Sequence, residues 1–542
     1  MHPKTRQILE TFEEINKIPR CSKHEEKISL WLQDRARANG FEVKTDAVGN
    51  VLIKVPASSG YENSPTLVLQ GHMDMVCEKK KDSNHDFSRD PVECVYEGDW
   101  LIGNGTNIGA DNGIALAIGL VVAESGKAGE IGHPPLELLF TVDEETGLTG
   151  ALALEPGFFD GRILLNLDSE EEGVFLVGCA GGKNSRLALP VKYEHFEYGK
   201  EGFRLFKLSV EGLKGGHSGV EIHSQRANAI GIVARSLDLV RKEVGTWGFG
   251  LVMVSGGSTH NAIPNSAEAY FVLERKWAKK VEELVSKFEK TLLSEFAEND
   301  PELRLKIEEA RMDAVSGTGT VADPKAAFET SEKKAAGNVF PKTFPENRVL
   351  TAGSTEKVLN LLLALPHGVY RMSDRIPGLV ETSNNLATVR TEENELKVLS
   401  SQRSSVMSRL AEITGKVEAV AKLAGAEVLH EHGYPAWEAD LESELLARCR
   451  EVYAATFGKE PVIETVHAGL ECGVIGSKCG SRVGSDDVGD SGGEGGDSGD
   501  GGIEMISMGP TIKYPHSPDE KIYIPSIEKT WTFLENLLKS YR

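Results

Sequence analysis

Two histidines and a scatter of aspartates and glutamates, most of them just past apolar runs, are the residues here whose types and spacing could do chemistry. In GHMDMV (71–76), His72 and Asp74 stand two apart directly after the run TLVLQ (66–70). Side chains two apart on a strand share a face. A carboxylate beside an imidazole can fix its orientation and tautomer for a metal, although an HxD pair alone is also an ordinary loop hydrogen bond. In GTNIGADNG (105–113), Asp111 lies between a glycine-rich turn and an apolar helix, and by itself reads equally well as an N-cap. DEETG (143–147) and LNLDSEEEG (165–173) each follow or contain a buried run. Consecutive acids in that position are costly unless they are exposed or face something positive. One of them can ligate a metal while its neighbour, pointing elsewhere, acts as a base. Glu170, Glu171 and Glu172 read as a solvated charge run. His516 lies in the Pro-rich loop GPTIKYPHSPDEK (509–521). Taken together these residues make a nitrogen and oxygen ligand set that suits Zn2+, and also Mn2+ or Co2+. Two metals ~3.5–4 Å apart would share one carboxylate.

The elements that must carry these residues follow from periodicity. Ile8, Phe12, Ile15 and Ile18 recur at helical spacing, and Pro19 closes that helix. A second helix, from about Glu25 to Ala38, stops at Gly40. FEVKTDAVGNVLIKV (41–55) predicts a hairpin. TLVLQ, LELLFTV (136–142) and RILLNL (162–167) predict buried strands, and NGIALAIGLVVAE (112–124) an apolar helix. Strands alternating with helices predict an α/β sheet, with the acids and His72 at the carboxyl ends of its strands, where such sheets bind ligands. From about Arg186 to Ser404 the character changes. FRLFKLSVEGL and AEAYFVLER alternate like strands exposed on one face. The segments 227–244 and 280–296 are amphipathic helices, and SSQRSSVMSRLAEITGKVEAVAKLAGAE follows the same helical pattern. The expected organisation is therefore a catalytic domain formed by residues 1–185 and 405–542, interrupted by an inserted α+β domain over 186–404. The Gly-, Ser- and Asp-rich stretch 480–502 cannot bury a core and is expected to be a disordered surface loop. IEMISMGP after it is expected to be a strand returning to the first domain.

Bulk properties narrow the partners. The chain has 542 residues, 60 Lys+Arg and 82 Asp+Glu, for a formal charge of −22. That balance argues against nucleic acid, whose phosphates need clustered Lys and Arg, and against anionic membranes. Seven scattered cysteines without a CxxC pair predict free thiols in a reducing compartment. The amphipathic, acidic N-terminus does not read as a signal peptide, and no apolar run reaches transmembrane length. The expected location is the cytoplasm.

HMDMV, GADNG, DEETGLTGA, LNLDSEE, GGHSG, HNAIP, HAGLECG and GPT…HSPDE occur in an order that resembles the M20 metallopeptidases, above all their aminoacyl-histidine (Xaa-His) dipeptidase branch. The resemblance spans nearly the whole chain. It implies a dinuclear-zinc catalytic domain, a mixed sheet flanked by helices, with an inserted lid domain. It implies that His72, Asp111 and Asp168 hold one zinc, and that Asp111, as the bridge, joins Glu145 and His516 on the other. Asp74 would orient His72, and Glu144 would be the general base toward a zinc-bound water. In the lid, His217 of GGHSG would approach the scissile carbonyl, while Asn261 of HNAIP and Arg371 of YRMSD would bind the substrate backbone and carboxylate. Arg390 and Arg403 are the neighbouring candidates for that last role, and HSG and NAIP read on their own as turn signals. Two features depart from the family pattern. The 480–502 insertion replaces a short link, and KYP precedes His516 where something like Arg-Gly-Ala is expected, which leaves Lys513 as the nearest cation.

The expected activity is hydrolysis of unblocked dipeptides of the Xaa-His type by a small-peptide metallo-dipeptidase, with a homodimer formed through the lid. Two other readings remain open on the sequence. One is an N-acyl amino-acid deacylase or carboxypeptidase built on the same metal centre. The other is a non-catalytic, metal-dependent peptide-binding protein.

Overall fold

The computed structural model describes residues 1–196, 202–310, 348–480 and 502–542. Residues 481–501 of the expected disordered loop lie outside the described residues. The chain forms two compact units, one of Met1–Ala180 with Pro435–Arg542, the other of Gly181–Tyr434.

The first unit is built on an eight-stranded mixed sheet. Helix α1 (Pro3–Ile15) starts on a proline, which lacks the N–H that a first turn cannot use, and buries Ile8, Leu9, Phe12 and Ile15. Helix α2 (Glu26–Ala38) ends just before Gly40, whose φ of 75° an L side chain would resist. Strands β1 (Glu42–Thr45) and β2 (Val51–Val55) pair antiparallel as the hairpin pattern requires. The Asp46 carboxylate holds their turn by accepting from the N–H groups of Val48, Gly49 and Asn50. Strand β3 (Leu67–His72) lies between the strands Leu136–Thr141 and Ile163–Asn166 and runs parallel to both. All six of its residues are buried, which is why it reads as a continuous apolar run and not as an alternation. Helix α3 (Ala110–Lys127) packs directly on β3, and Gly71 permits the approach. A Cβ on Gly71 would stand 2.5 Å from Asn112 Oδ1 and 2.6 Å from Ala115 Cβ. The strand Glu504–Ser507 joins this sheet beside Ile163–Asn166, as expected for a return to the first domain.

The second unit is an antiparallel sheet in the order 304–309, 203–211, 267–274, 249–256, 380–391, 395–404, 181–190, 427–430. The helices Ala229–Val244, Ala352–Ala364 and Met407–Ala424 contribute Leu237, Leu361 and Val417 to its core.

Three expectations need correction. Ser400–Ser404 belongs to the strand Glu395–Ser404, and the helix begins only at Met407. Ser400 and Gln402 are buried there because they satisfy each other and Asn384 with hydrogen bonds of 2.7–3.0 Å, a polar core that imitates a helix face in sequence. The strands Phe203–Glu211 and Ala267–Glu274 are not exposed on one face. Phe206, Leu208 and Phe271 join the main core, while Leu205, Tyr270 and Val272 pack on alternate positions with Val252, Met253 and Val349. Finally, Cys21 and Cys77 form a disulfide across 56 residues, where free thiols were expected throughout. A backbone bridge between Cys21 and Met75 brings the two segments together, a proximity that sequence spacing does not reveal. Cys94, Cys179, Cys449, Cys472 and Cys479 are not disulfide-bonded.

Candidate metal centre

Three parallel strands deliver their following residues to one end of the first unit's sheet. His72 is the last residue of β3, Glu144 and Glu145 follow Leu136–Thr141, and Asp168 follows Ile163–Asn166. Asp111 stands at the start of α3 with non-helical φ and ψ of −81° and 105°, and its peptide bond to Asn112 is cis. Its carboxylate does not cap the helix. Instead Oδ1 lies 3.1 Å from His72 Nε2 and Oδ2 lies 3.1 Å from His516 Nε2. His516 has a φ of 55° and sits between the short strands Ile512–Lys513 and Lys521–Tyr523.

Each imidazole therefore faces Asp111 and one acid of its own. His72 Nε2 is also 3.5 Å from Asp168 Oδ1, and His516 Nε2 is 2.9 Å from Glu145 Oε2. The other ring nitrogen of His72, Nδ1, lies 3.2 Å from Asp74 Oδ1. Asp74 is fully buried and accepts from the backbone N–H groups of Glu144 (3.0 Å) and Glu145 (3.3 Å). It thus holds both the histidine and the turn that carries the two glutamates. Burial works against its charge, but His72, the Glu144 N–H and the Ser22 hydroxyl keep its carboxyl below the usual range.

The donor chemistry fits a divalent cation. The ligand atoms of His72, Asp111 and Glu145 all lie within 4.8 Å of one another. Glu145 Oε1 is buried with no hydrogen-bond partner, a costly state for a carboxylate oxygen unless a cation meets it. Burial, with the Asp111 charge beside it, pushes Glu145 up to about 7. Glu144 is driven well above the carboxylate range by burial and by Glu145, Asp168 and Glu471. Burial opposes a charge on His516, yet its bonds to Asp111 and Glu145 raise it to about 12. Protons on the imidazoles thus balance carboxylates that would otherwise repel one another.

Residues 208–300 match the model of a peptidase dimerisation domain. The cytosol non-specific dipeptidase of Escherichia coli strain K12 is 36% identical over 532 residues, covering 98% of this chain and 97% of its own. The crystal structure of aminoacylhistidine dipeptidase from Vibrio alginolyticus superposes with a TM-score of 0.76 at 36% identity, covering 98% of this chain and 96% of that one. The chain belongs to the M20 family of metallopeptidases. Aminopeptidase PepT from Bacillus cereus, at 14% identity and a TM-score of 0.52 over 99% of this chain, shares the fold.

In this M20 peptidase the remaining expected site residues lie in the second unit. The GGHSG and HNAIP segments are laced together there. Ser218 N–H donates to Asn261 O (2.7 Å), Ile263 N–H to Gly216 O (2.8 Å), and His217 bridges to Ala262. His217 Nδ1 accepts from the Val220 N–H at 3.1 Å, which assigns the proton of the neutral ring to Nε2. Arg371, on the strand Gly368–Met372, pairs with Asp374 and with Glu381. Arg390 donates to Ser255 Oγ and Gly257 O, and Arg403 is buried and donates to Tyr434 Oη. Of the three arginines, Arg371 is the one paired with carboxylates, the exposed Asp374 and the buried Glu381.

Several residues around the centre were not singled out from sequence. Asn112 accepts from the His72 N–H and donates to Leu167 O, tying two strand ends together. Glu471 of HAGLECG is fully buried and accepts from Gln70 Nε2 and Thr141 Oγ1 beneath the centre; burial pushes it to about 7. Glu25 accepts from the Asp143 N–H, and Glu520 serves the Asp111 loop. Glu172 also departs from the solvated run assigned to it, since it accepts from Tyr453 Oη and pairs with Lys529. A buried acid of this kind carries no sequence signal beyond being an acid near an apolar run.

Proposed function

We propose that this chain is a metallo-dipeptidase that hydrolyses the peptide bond of unblocked dipeptides, Xaa-His dipeptides among them. The carrying observation is the partition of the centre. Two imidazoles share Asp111, and each faces one further acid, Asp168 for His72 and Glu145 for His516. His72, Asp111 and Asp168 would hold one Zn2+ and Asp111, Glu145 and His516 a second, with Mn2+ or Co2+ as substitutes. The pair, when bound, supplies Lewis acidity and lowers the pKa of a water to about 7. Glu144 takes the proton of the attacking water and returns it to the leaving amine. Asp74 holds His72 in its tautomer. His217 donates a hydrogen bond from its Nε2–H to the carbonyl oxygen as charge develops there, Asn261 binds the substrate backbone, and the planar fork of Arg371 pairs with the free carboxylate. The 36%-identical relatives, named as a non-specific dipeptidase and an aminoacylhistidine dipeptidase, support this substrate class. The match to a dimerisation domain supports a homodimer through the second unit, and the name of the Escherichia coli relative supports a cytoplasmic location. Among the described residues no helix is long and apolar enough to cross a membrane.

A panel of dipeptides, a tripeptide and an N-acetylated amino acid given to the zinc-loaded protein tests the reading. Cleavage of free dipeptides, abolished by a chelator and restored by zinc, is the expected result. Cleavage of the acetylated substrate alone would move the chain to the deacylases, and zinc binding without any turnover would make it a peptide-binding protein. In the same assay His217→Ala is expected to lose about 10²–10³-fold in kcat, the usual cost of removing one oxyanion donor, with zinc content unchanged. Loss of zinc from that variant would make His217 a ligand.

A further inference from the structure

The segment 108–111, which carries Asp111, is held from two sides by buried charge. Glu520, 1% exposed, lies four residues beyond His516 in HSPDE. Its Oε2 accepts from the N–H groups of Ile108 (3.0 Å) and Gly109 (2.8 Å), and its Oε1 accepts from the Asp111 N–H (3.0 Å). Arg20, also 1% exposed, takes the other side. It donates to Gly109 O at 2.6 Å, to Asp74 O at 3.2 Å and to Met73 O at 3.3 Å. Asn16 Nδ2 completes the set on Ile108 O at 2.9 Å. The fit leaves no slack: Gly109 has a φ of 61°, and a Cβ on it would stand 2.4 Å from Arg20 Nη2.

We propose that Glu520, with Arg20 as its buried countercharge, is a positioning residue that clasps the 108–111 loop and so sets where the Asp111 carboxylate points. The inference rests on the dinuclear reading of the centre. Three charge-assisted hydrogen bonds on one carboxylate fix the 108–111 backbone, one of them on the Asp111 N–H itself. A ligand that must meet two cations at once tolerates displacement of only about 0.5 Å. The turn that carries Glu520 is short, with the Glu520 N–H on Ser517 O at 2.9 Å, so the clasp also ties the Asp111 loop to the His516 loop. Both loops feed the half of the centre formed by Asp111, Glu145 and His516. A negative charge so close to Asp111 would be a poor choice for the metal-free fold and a good one for holding a cation.

Zinc titration of the metal-free protein, read by bound metal per chain and by affinity, separates the outcomes without any substrate. Wild type is expected to hold two zincs. Glu520→Gln, which removes the charge and one acceptor, and Glu520→Asp, which keeps the charge opposite Arg20 but shortens the reach, are expected to keep one zinc. Both should bind the second about 10–100-fold more weakly, the usual effect of losing a partner behind a metal ligand. Circular dichroism of each variant establishes that it folds. Equal binding of both zincs by wild type and the two variants would overturn the clasp, even if the variants melted earlier, because Glu520 would then serve only stability. Fewer than two zincs on wild type would remove the dinuclear reading itself, and the clasp with it.

Discussion

Glu144→Gln is expected to bind metal like the wild type and to lose about 10²–10⁴-fold or more in kcat, the contribution of a positioned general base. Glutamine keeps the size and the backbone of residue 144, whose N–H remains on Asp74 Oδ1, so the turn that carries Glu145 stays in place. What disappears is the ability to accept a proton. In the metal-free fold burial, with the nearby Glu145, Asp168 and Glu471 opposing His72, drives the proton affinity of Glu144 well above that of a free carboxylate. Steady-state kinetics beside elemental analysis of the same sample decides it. A variant with intact metal and more than a tenth of wild-type kcat would place the base elsewhere.

Removing the metal is expected to reverse the usual pH dependence of stability. In the metal-free fold burial raises Glu145 and Glu471 to about 7. Between pH 4.5 and 7 the folded chain therefore holds protons that the unfolded chain has released. His516, raised to about 12, adds to the same imbalance above pH 6.5. Stability falls with rising pH wherever the folded state binds more protons. From the two buried glutamates alone the fall between pH 5 and pH 8 is on the order of 5 kcal/mol. Bound cations replace those protons, so zinc should raise the melting temperature far more at pH 8 than at pH 5. A metal-free protein that became more stable toward pH 8, or a zinc effect equal at both, would refute the crowded-carboxylate account. Asp111 works in the other direction, held low by His516 and His72 against its burial, but only below pH 4.

The legible elements were those whose packing is uniform. β3, Leu136–Thr141 and Ile163–Asn166 are buried on both faces and read as unbroken apolar runs. The helices α1 and α2 show one apolar stripe with a stop signal. The strand through Ser400, Gln402 and Ser404 is illegible because its burial is satisfied by hydrogen bonds that Ser400 and Gln402 donate to Asn384 and that Ser404 shares with Thr382, and composition alone treats such residues as exposed. Glu172 was misread for the same reason, since its partners Tyr453 and Lys529 lie 281 and 357 residues away.

The sequence by itself determined the order and chemical types of the motifs, the α/β character of the first part, and the family resemblance, because short-range patterns and residue identities carry that information. Only the tertiary structure decided that His72 and His516 meet at Asp111 across 39 and 405 residues. It alone brought Cys21 to Cys77 and placed Glu520 and Arg20 on either side of the Asp111 loop. These contacts depend on where the parallel strands of a mixed sheet end and where the C-terminal segment rejoins it. Distance along the chain does not encode that closure.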